Sequence, residues 1–434
     1  MARMSRRQML AGVGVGIGAS LLAACGQVQT VAAPEAPESD APAAPEEPAG
    51  ITGVFHVWGF SSQYLPGVVL DAFQEMHPGA VVVQSQPAGN FRGEKFPAAV
   101  AAGAPPALMQ GFLDFVAMYA DRGFLADLGP AAKAGDFGDL GAYLPGIVEA
   151  GTFSGVLHFL PHRQSVNIPL YNKDIFENAG INEPPTQWDD VAEIARQLTQ
   201  KRADGSDQFG LTVTTSKNTL NSWFNPVLWQ AGGEFFAEDG RSVTFDEDPG
   251  LAALEFLTDL FNKKIAAEGT TPYFEGYGAM INARTPTHVK RPFDNGNIPW
   301  LAASPAWQKE KQLGFGSLSG WVVPVSPQSD AAIQLLAHTL QPENVKAFLK
   351  LVFLLPVRSD IEVDFVGEEY NDWMPTFIEQ SQNMHYDIPH PHIRAIMPLV
   401  SAEMYKAIAG EVTPQEAIRT AGDIANQFLA DNMS

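Results

Sequence analysis

Three histidines fall close together at His385, His390 and His392, in the run Met384-His385-Tyr386-Asp387-Ile388-Pro389-His390-Pro391-His392. Imidazoles suit zinc, copper or nickel. Two of them straddle a proline, however, and the one acid nearby is Asp387, so polar loop histidines compete with a metal site. Gly316-Ser317-Leu318-Ser319-Gly320 carries the glycines of a nucleophile elbow, but Leu318 stands where the serine is needed. There is no HExxH and no glycine–lysine loop to cradle phosphate. The acids Asp189-Asp190 and Asp246 with Asp248 flank expected helices, where they favour the N-terminal dipole. A glycosidase needs two carboxylates at a fixed separation in space, which spacing along a chain does not exclude. The single cysteine, Cys25, rules out an intramolecular disulfide, a two-cysteine redox motif and a thiolate zinc cluster. No metal and no cofactor is expected.

The elements that would position a site alternate between strand and helix. Val54–Trp58 reads as a strand, followed by a helix with Val69, Ala72, Phe73 and Met76 on one face. His77-Pro78-Gly79 stops that helix, and 80–84 is β-rich. Strands are expected at 107–112 and 209–214. Thr186-Gln187-Trp188-Asp189 opens a helix with a capping-box-like pattern, and Val191, Ile194, Ala195 and Leu198 form its stripe. Pro342 begins another helix, ended by Pro356, and Thr413-Pro414-Gln415-Glu416 is a capping box for the last. This alternation predicts an α/β fold with mainly parallel sheets.

The 434 residues are 45% hydrophobic and 18% charged, a globular composition with length for two or three domains. The net charge of −22 repels phosphate backbones and anionic lipid, so nucleic-acid partners are not expected. Residues 1–24 read as an address rather than fold: Ser5-Arg6-Arg7-Gln8-Met9-Leu10 is a twin-arginine pattern before an apolar run. Leu22-Ala23-Ala24-Cys25 resembles the lipobox of bacterial lipoproteins, which implies cleavage before Cys25 and a lipid on it. Residues 25–51, rich in proline, alanine and glutamate, then read as a tether.

Several segments, in order, resemble the extracellular solute-binding proteins of ABC importers, in the sugar-binding group related to maltose-binding protein. They are 54–83, 96–128, Leu170-Tyr171-Asn172-Lys173-Asp174-Ile175-Phe176 with Ala179-Gly180, Leu355-Pro356-Val357-Arg358, and Gly410 with 413–417. Departures are Ala107 after the paired prolines, Phe112 at the end of the next strand, and 284–288 where a tryptophan is common. The resemblance implies a two-lobed periplasmic-binding-protein-like fold of the second type, with a hinge and a cleft between lobes. Lobe 1 would hold 52–166 plus about 320–352, and lobe 2 would hold 167–319 plus about 353–434. The chain would cross near 165–168, near 319–325 and after the 342–355 helix. Such a protein is not an enzyme: it would act as a monomer, capture a small solute, expected to be a sugar or oligosaccharide, and deliver it to a membrane permease. The same fold with a carboxylate, polyol phosphate, peptide or metal as ligand stays open, as does a carbohydrate-active enzyme.

A sugar asks for aromatic faces against its C–H surfaces and planar polar groups for its hydroxyls. Trp58 ends the first strand, where α/β sheets bind ligands, and Phe60 follows it. Asn90 lies in the loop after the second strand. Phe112 and Asp114 close the third, with Asp114 equally suited to a helix cap. His162 and Arg163 precede the first crossover, and a guanidinium fork suits vicinal hydroxyls or a carboxylate. Trp223, Arg284, Trp321 and His392 complete the expected ligand set. Trp188 has helical spacing to Val191 and Ala195 and is expected in the core, as is Trp229.

Overall fold

The computed structural model describes residues 50–433 apart from Asp387. The twin-arginine run, Cys25 and nearly all of the tether lie outside the described residues.

The strands that matter, in chain order, are β1 (Gly53–Trp58), β2 (Ala80–Ser85), β3 (Leu108–Phe112), β4 (Pro161–Asn172), β5 (Asp207–Val213), β6 (Ala266–Glu268), β7 (Gly278–Arg284), β8 (Leu301–Ala303), β9 (Gly314–Val322) and β10 (Met384–Tyr386). They join in one sheet that runs β2-β1-β3-β9-β4-β7-β5, with β8 on β4, β10 on β9 and β6 on β5. Its flanks are parallel, as the strand–helix alternation requires, because a crossover helix returns the chain to the same end. Its centre differs from the expected parallel pattern: β3–β9, β9–β4 and β4–β7 are antiparallel. The reason is that β4 and β9 do not belong to one half. Pro161–Asn167 of β4 pairs with β9, whereas Ile168–Asn172 pairs with β7 and β8.

The molecule is two-lobed around these two long strands. One core gathers Phe55, Phe73, Phe96, Tyr119, Trp321, Phe348 and Val357. On the other side Trp188, Trp223, Trp229, Leu257 and Met404 form a second core, adjoined by Tyr273, Trp373 and Phe377. The segment after Pro342–Val352 alternates between them, with Phe353 and Leu355 on one side and Leu354 and Val357 on the other.

Local signals explain the helices. α1 (Gly67–Met76) buries Val69 and Phe73, and His77 closes it by donating its backbone N–H to Phe73. α2 (Leu113–Asp121) follows β3 directly. α3 (Trp188–Leu198) buries Trp188, Val191, Ala195 and Leu198, three of the four expected stripe residues and the expected core Trp188, while Ile194 is half-buried. Its Thr186 does not cap it: the preceding position is Gln187, with no side-chain cap bond, and the acids Asp189 and Asp190 occupy the first turn. Gly210 of β5 lets this helix sit close, since a Cβ there would lie 1.8 Å from the Ala195 carbonyl oxygen. α4 (Pro342–Val352), α5 (Ile393–Ile408) and α6 (Pro414–Asn432) complete the set used below. Thr413 caps α6 by accepting from the Glu416 backbone at 3.2 Å, as its capping box predicts. No described helix is long and apolar enough to cross a membrane.

Candidate functional site

Antiparallel neighbours directly opposite each other share a face of the sheet. In the centre that rule places Arg163 beside Ser319, Ser165 beside Ser317, and Asn167 beside Phe315. Alternation along each strand then sends Arg163, Ser165 and Asn167 to the same side, with Phe315, Ser317 and Ser319. These six residues floor a cavity of about 280 Å³. Gln63, Phe112 and Leu354 wall it on the side of the first core, while Thr285, Thr287 and His288 wall the other. A neighbouring cavity of about 270 Å³ shares Gln63 and Thr287 and continues past Lys290, Arg291 and Asp294. A small chamber behind Asn167 and Phe315 is lined by Trp223, Pro226, Leu257 and Trp307.

The floor is polar and mostly neutral. Asn167 donates to the Phe315 carbonyl at 3.1 Å, and Ser165 accepts from the Ser317 backbone at 3.2 Å. Arg163 donates from Nη2 to Gln63 Oε1 at 2.7 Å, and the same oxygen takes Gln110 Nε2 at 2.5 Å. Gln110 in turn accepts from the Phe60 backbone at 3.1 Å. Burial, and then the like charge of Arg92, pull the Arg163 guanidinium down to about 9. On the reverse face Gln164 is fully buried: it donates to the Pro356 carbonyl and accepts from the Tyr386 hydroxyl, both at 2.9 Å.

Arg92 sits beside the cavity in an aromatic box. Its guanidinium lies 4.4 Å from the Phe112 ring, 4.8 Å from Phe60, 4.9 Å from Phe115 and 5.6 Å from Phe91. Burial lowers it to about 10, against a raising influence from Asp114. Asp114 pairs across the lobes with Arg394 of α5 at 2.6 Å, and Arg394 also lies 3.8 Å over the Phe115 ring.

The structure sorts the residues singled out from sequence. Arg163 and Phe112 line the cavity. Phe60 is half-buried beside Arg92, and Trp58 is half-buried against the first core. Asn90 is exposed, its side-chain oxygen accepting from the Gly93 backbone at 2.9 Å as a helix cap. Asp114 is spent on Arg394 and on the Phe115 backbone. Four residues expected at the ligand lie away from this cavity. Trp321 is 0% exposed and packs over Gly59, where its ring would stand 2.9 Å from an added Cβ, so it is core and not cleft wall. His162, on the opposite side of β4 from the floor, lies between Trp321 and Phe348 with neither ring nitrogen bonded. Burial, then Arg163, hold it well below the usual imidazole range. Trp223 is 1% exposed and donates to the Thr219 carbonyl at 2.8 Å, meeting only the chamber behind the floor. Arg284 is buried, bonded to Ala283 and Thr214, and lowered to about 10 by that burial.

Of the three histidines, His390 and His392 stay adjacent, with ring centroids 5.7 Å apart, while His385 turns elsewhere. His385 stacks 3.9 Å from Trp229 and reaches Glu234 at 3.1 Å. His390 bonds the Gly240 carbonyl at 3.0 Å and stacks on Phe236, and His392 leans on Phe428. Among the described residues no three of His, Cys, Asp or Glu are grouped to hold a metal ion. The elbow-like glycines lie in extended β9, with Leu318 fully buried on the face away from the cavity.

Residues that sequence reading missed are Gln63, Gln110, Ser165, Asn167, Ser317 and Ser319. The available signal was polar alternation in two strands, Arg-x-Ser-x-Asn and Ser-x-Ser, at the expected crossovers.

Residues 61–350 match the family model described as bacterial extracellular solute-binding protein. Among curated relatives, a putative binding protein of Brucella abortus is 26% identical over 134 residues, 31% of each chain, so the match spans about a third of that relative. The sn-glycerol-3-phosphate-binding periplasmic protein UgpB of Escherichia coli is 22% identical over 361 residues, 76% of this chain and 81% of that one. Among solved structures, the cyclic alpha-maltosyl-1,6-maltose binding protein of Arthrobacter globiformis superposes with a TM-score of 0.77 at 20% identity, covering 88% of this chain and all of that one. The sugar-binding protein MalE of Xanthomonas citri gives 0.76 at 17% identity, covering 87% of this chain and 98% of the other.

Proposed function

Because the chain belongs to the bacterial extracellular solute-binding proteins, we propose that its central cavity captures a sugar or oligosaccharide and delivers it unaltered to an ABC importer. The observation that carries this is the floor made by β4 and β9. Two strands shared by both lobes present a guanidinium, three serine hydroxyls and an amide on one face, with Phe112 and Phe315 beside them. Hydroxyl-bearing ligands need that combination, because a buried hydroxyl left unpaired costs about 1–3 kcal/mol. The sugar-binding names of the Arthrobacter and Xanthomonas structures support the same ligand class.

Walls from both lobes meet over this floor, so ligand contacts made on both sides favour the closed arrangement. No bond in the solute changes: the work of the site is recognition and closure. We assign lobe 1 to 52–166 plus about 320–352 and lobe 2 to 167–319 plus about 353–434, with Leu354, Val357 and Ile361 reaching back into the first core. Export by the twin-arginine signal, cleavage before Cys25 and lipid attachment there would hold a monomeric body on the outer face of the membrane through residues 25–51. Phe112, Arg163, Ser165, Asn167, Ser317 and Ser319 are the contacts assigned to the ligand.

A thermal-shift screen of mono- and oligosaccharides tests the reading. A solute at a hundred times its Kd stabilises by about 2.7 kcal/mol, and scattering in solution should report contraction with the same solute. Steady conversion of a glycoside by the purified chain, with no stable complex, would overturn it.

A further inference from the structure

The cavity carries a charge opposite to that of the chain. The protein holds 49 acids against 27 basic residues, yet no carboxylate among the described residues lines the cavity that Arg163 enters. Arg163 is 2% exposed. Among the described residues its one hydrogen bond goes to a neutral amide oxygen, that of Gln63, and its Nε has no partner. Phe348, 5.4 Å away, covers a face of the guanidinium, but the N–H donors lie in the plane and stacking does not satisfy them. Gln63 is a neutral amide and offers no counter-charge, and its oxygen is already shared between Arg163 and Gln110. A buried cation without an anion is strongly unfavourable, and an acid-rich chain had many ways to supply one from its own side chains. Arg92 sits nearby and forms no ion pair among the described residues, so the first wall adds positive potential instead of cancelling it.

We propose that the ligand itself brings the missing charge: the cavity selects an anionic sugar, a sugar acid or a sugar phosphate, whose carboxylate or phosphoryl oxygens take the free in-plane donors of Arg163. The serines Ser165, Ser317 and Ser319 then meet the sugar hydroxyls. This rests on the sugar-capture reading and narrows it, because a guanidinium fork matches a planar or tetrahedral oxyanion better than a lone hydroxyl.

The test is calorimetric titration of the purified full chain with D-galacturonate, D-glucose 6-phosphate, D-galactose, D-glucose and maltose. The acidic sugars should bind at least tenfold tighter than their neutral counterparts, and the first two arms tell carboxylate from phosphate. Arg163→Gln should erase that preference. Arg163→Lys, which keeps the charge and loses the fork, should retain it at reduced affinity, and denaturation of each free variant reports whether it folds. Neutral sugars binding as tightly as the acids would overturn the proposal and leave sugar capture standing. Failure of every sugar in the panel would overturn both.

Discussion

Asp114→Asn isolates the charge that ties the lobes together. The asparagine keeps the size of the side chain and can still accept from the Phe115 backbone, but it no longer pairs with Arg394 at 2.6 Å. Arg394 is 43% exposed and Asp114 21%, so solvent and salt screen the pair and the full Coulomb energy of buried charges does not apply. Partly exposed pairs are worth about 0.2–1 kcal/mol, and this one is at the upper end because Arg394 is already held over Phe115. Removing about 1 kcal/mol from the closed arrangement lowers its weight about fivefold. Ligand that binds through closure must make up the difference, so its Kd should rise by the same factor. Titration at low and high ionic strength measures this: the wild-type chain should lose affinity as salt rises, and the variant should lose less. Equal affinity and equal salt dependence in the two would show that the pair does not bias closure.

Three more outcomes follow from named contacts. Trp321→Ala should cost about 3–5 kcal/mol in chemical denaturation, because the whole indole is removed from a packed core; marginal loss of stability would contradict its placement. Tyr386→Phe leaves the fully buried Gln164 Oε1 without its donor and should cost about 1–3 kcal/mol, read as a lower denaturation midpoint at unchanged slope. His162 is held neutral in the fold and titrates near 6.5 once unfolded, so the unfolded state binds the extra proton below that pH. Stability should therefore fall as pH drops from about 6.5 towards 5, by up to about 1.4 kcal/mol per unit from this group, and His162→Phe should flatten that slope.

Much of the scaffold was legible because local rules set it. The stripe of α3, the closure of α1 at His77 and the cap at Thr413 are contacts made within a few residues. The strand at 53–58 and its parallel neighbours follow from the same alternation. The antiparallel centre was not legible, because it arises where β4 and β9 pass from one half to the other. The floor was hidden for a related reason: Ser165 and Ser317 are 152 residues apart and meet only through register. In isolation, the serines around Leu318 looked like a broken catalytic motif. Arg163 was singled out because a guanidinium fork before an expected crossover suits vicinal hydroxyls or a carboxylate. Trp321 and Trp223 misled because an indole suits a sugar face and a core equally well. What decided was Gly59, which opens the space that Trp321 fills, and the Thr219 carbonyl that binds Trp223.

One series of hydrogen-bonded strands runs from β2 to β5 through both lobes, with β4 handing over from β9 to β7 along its length. Besides this series, the segment after Pro342–Val352 also passes between the cores. Any swing of one half against the other twists β4 and β9 together with that segment, and the ladder already slips register between Ser319 and Gly320. The recognition floor lies on those same two ribbons, so whatever settles there rests on the torsion spring itself.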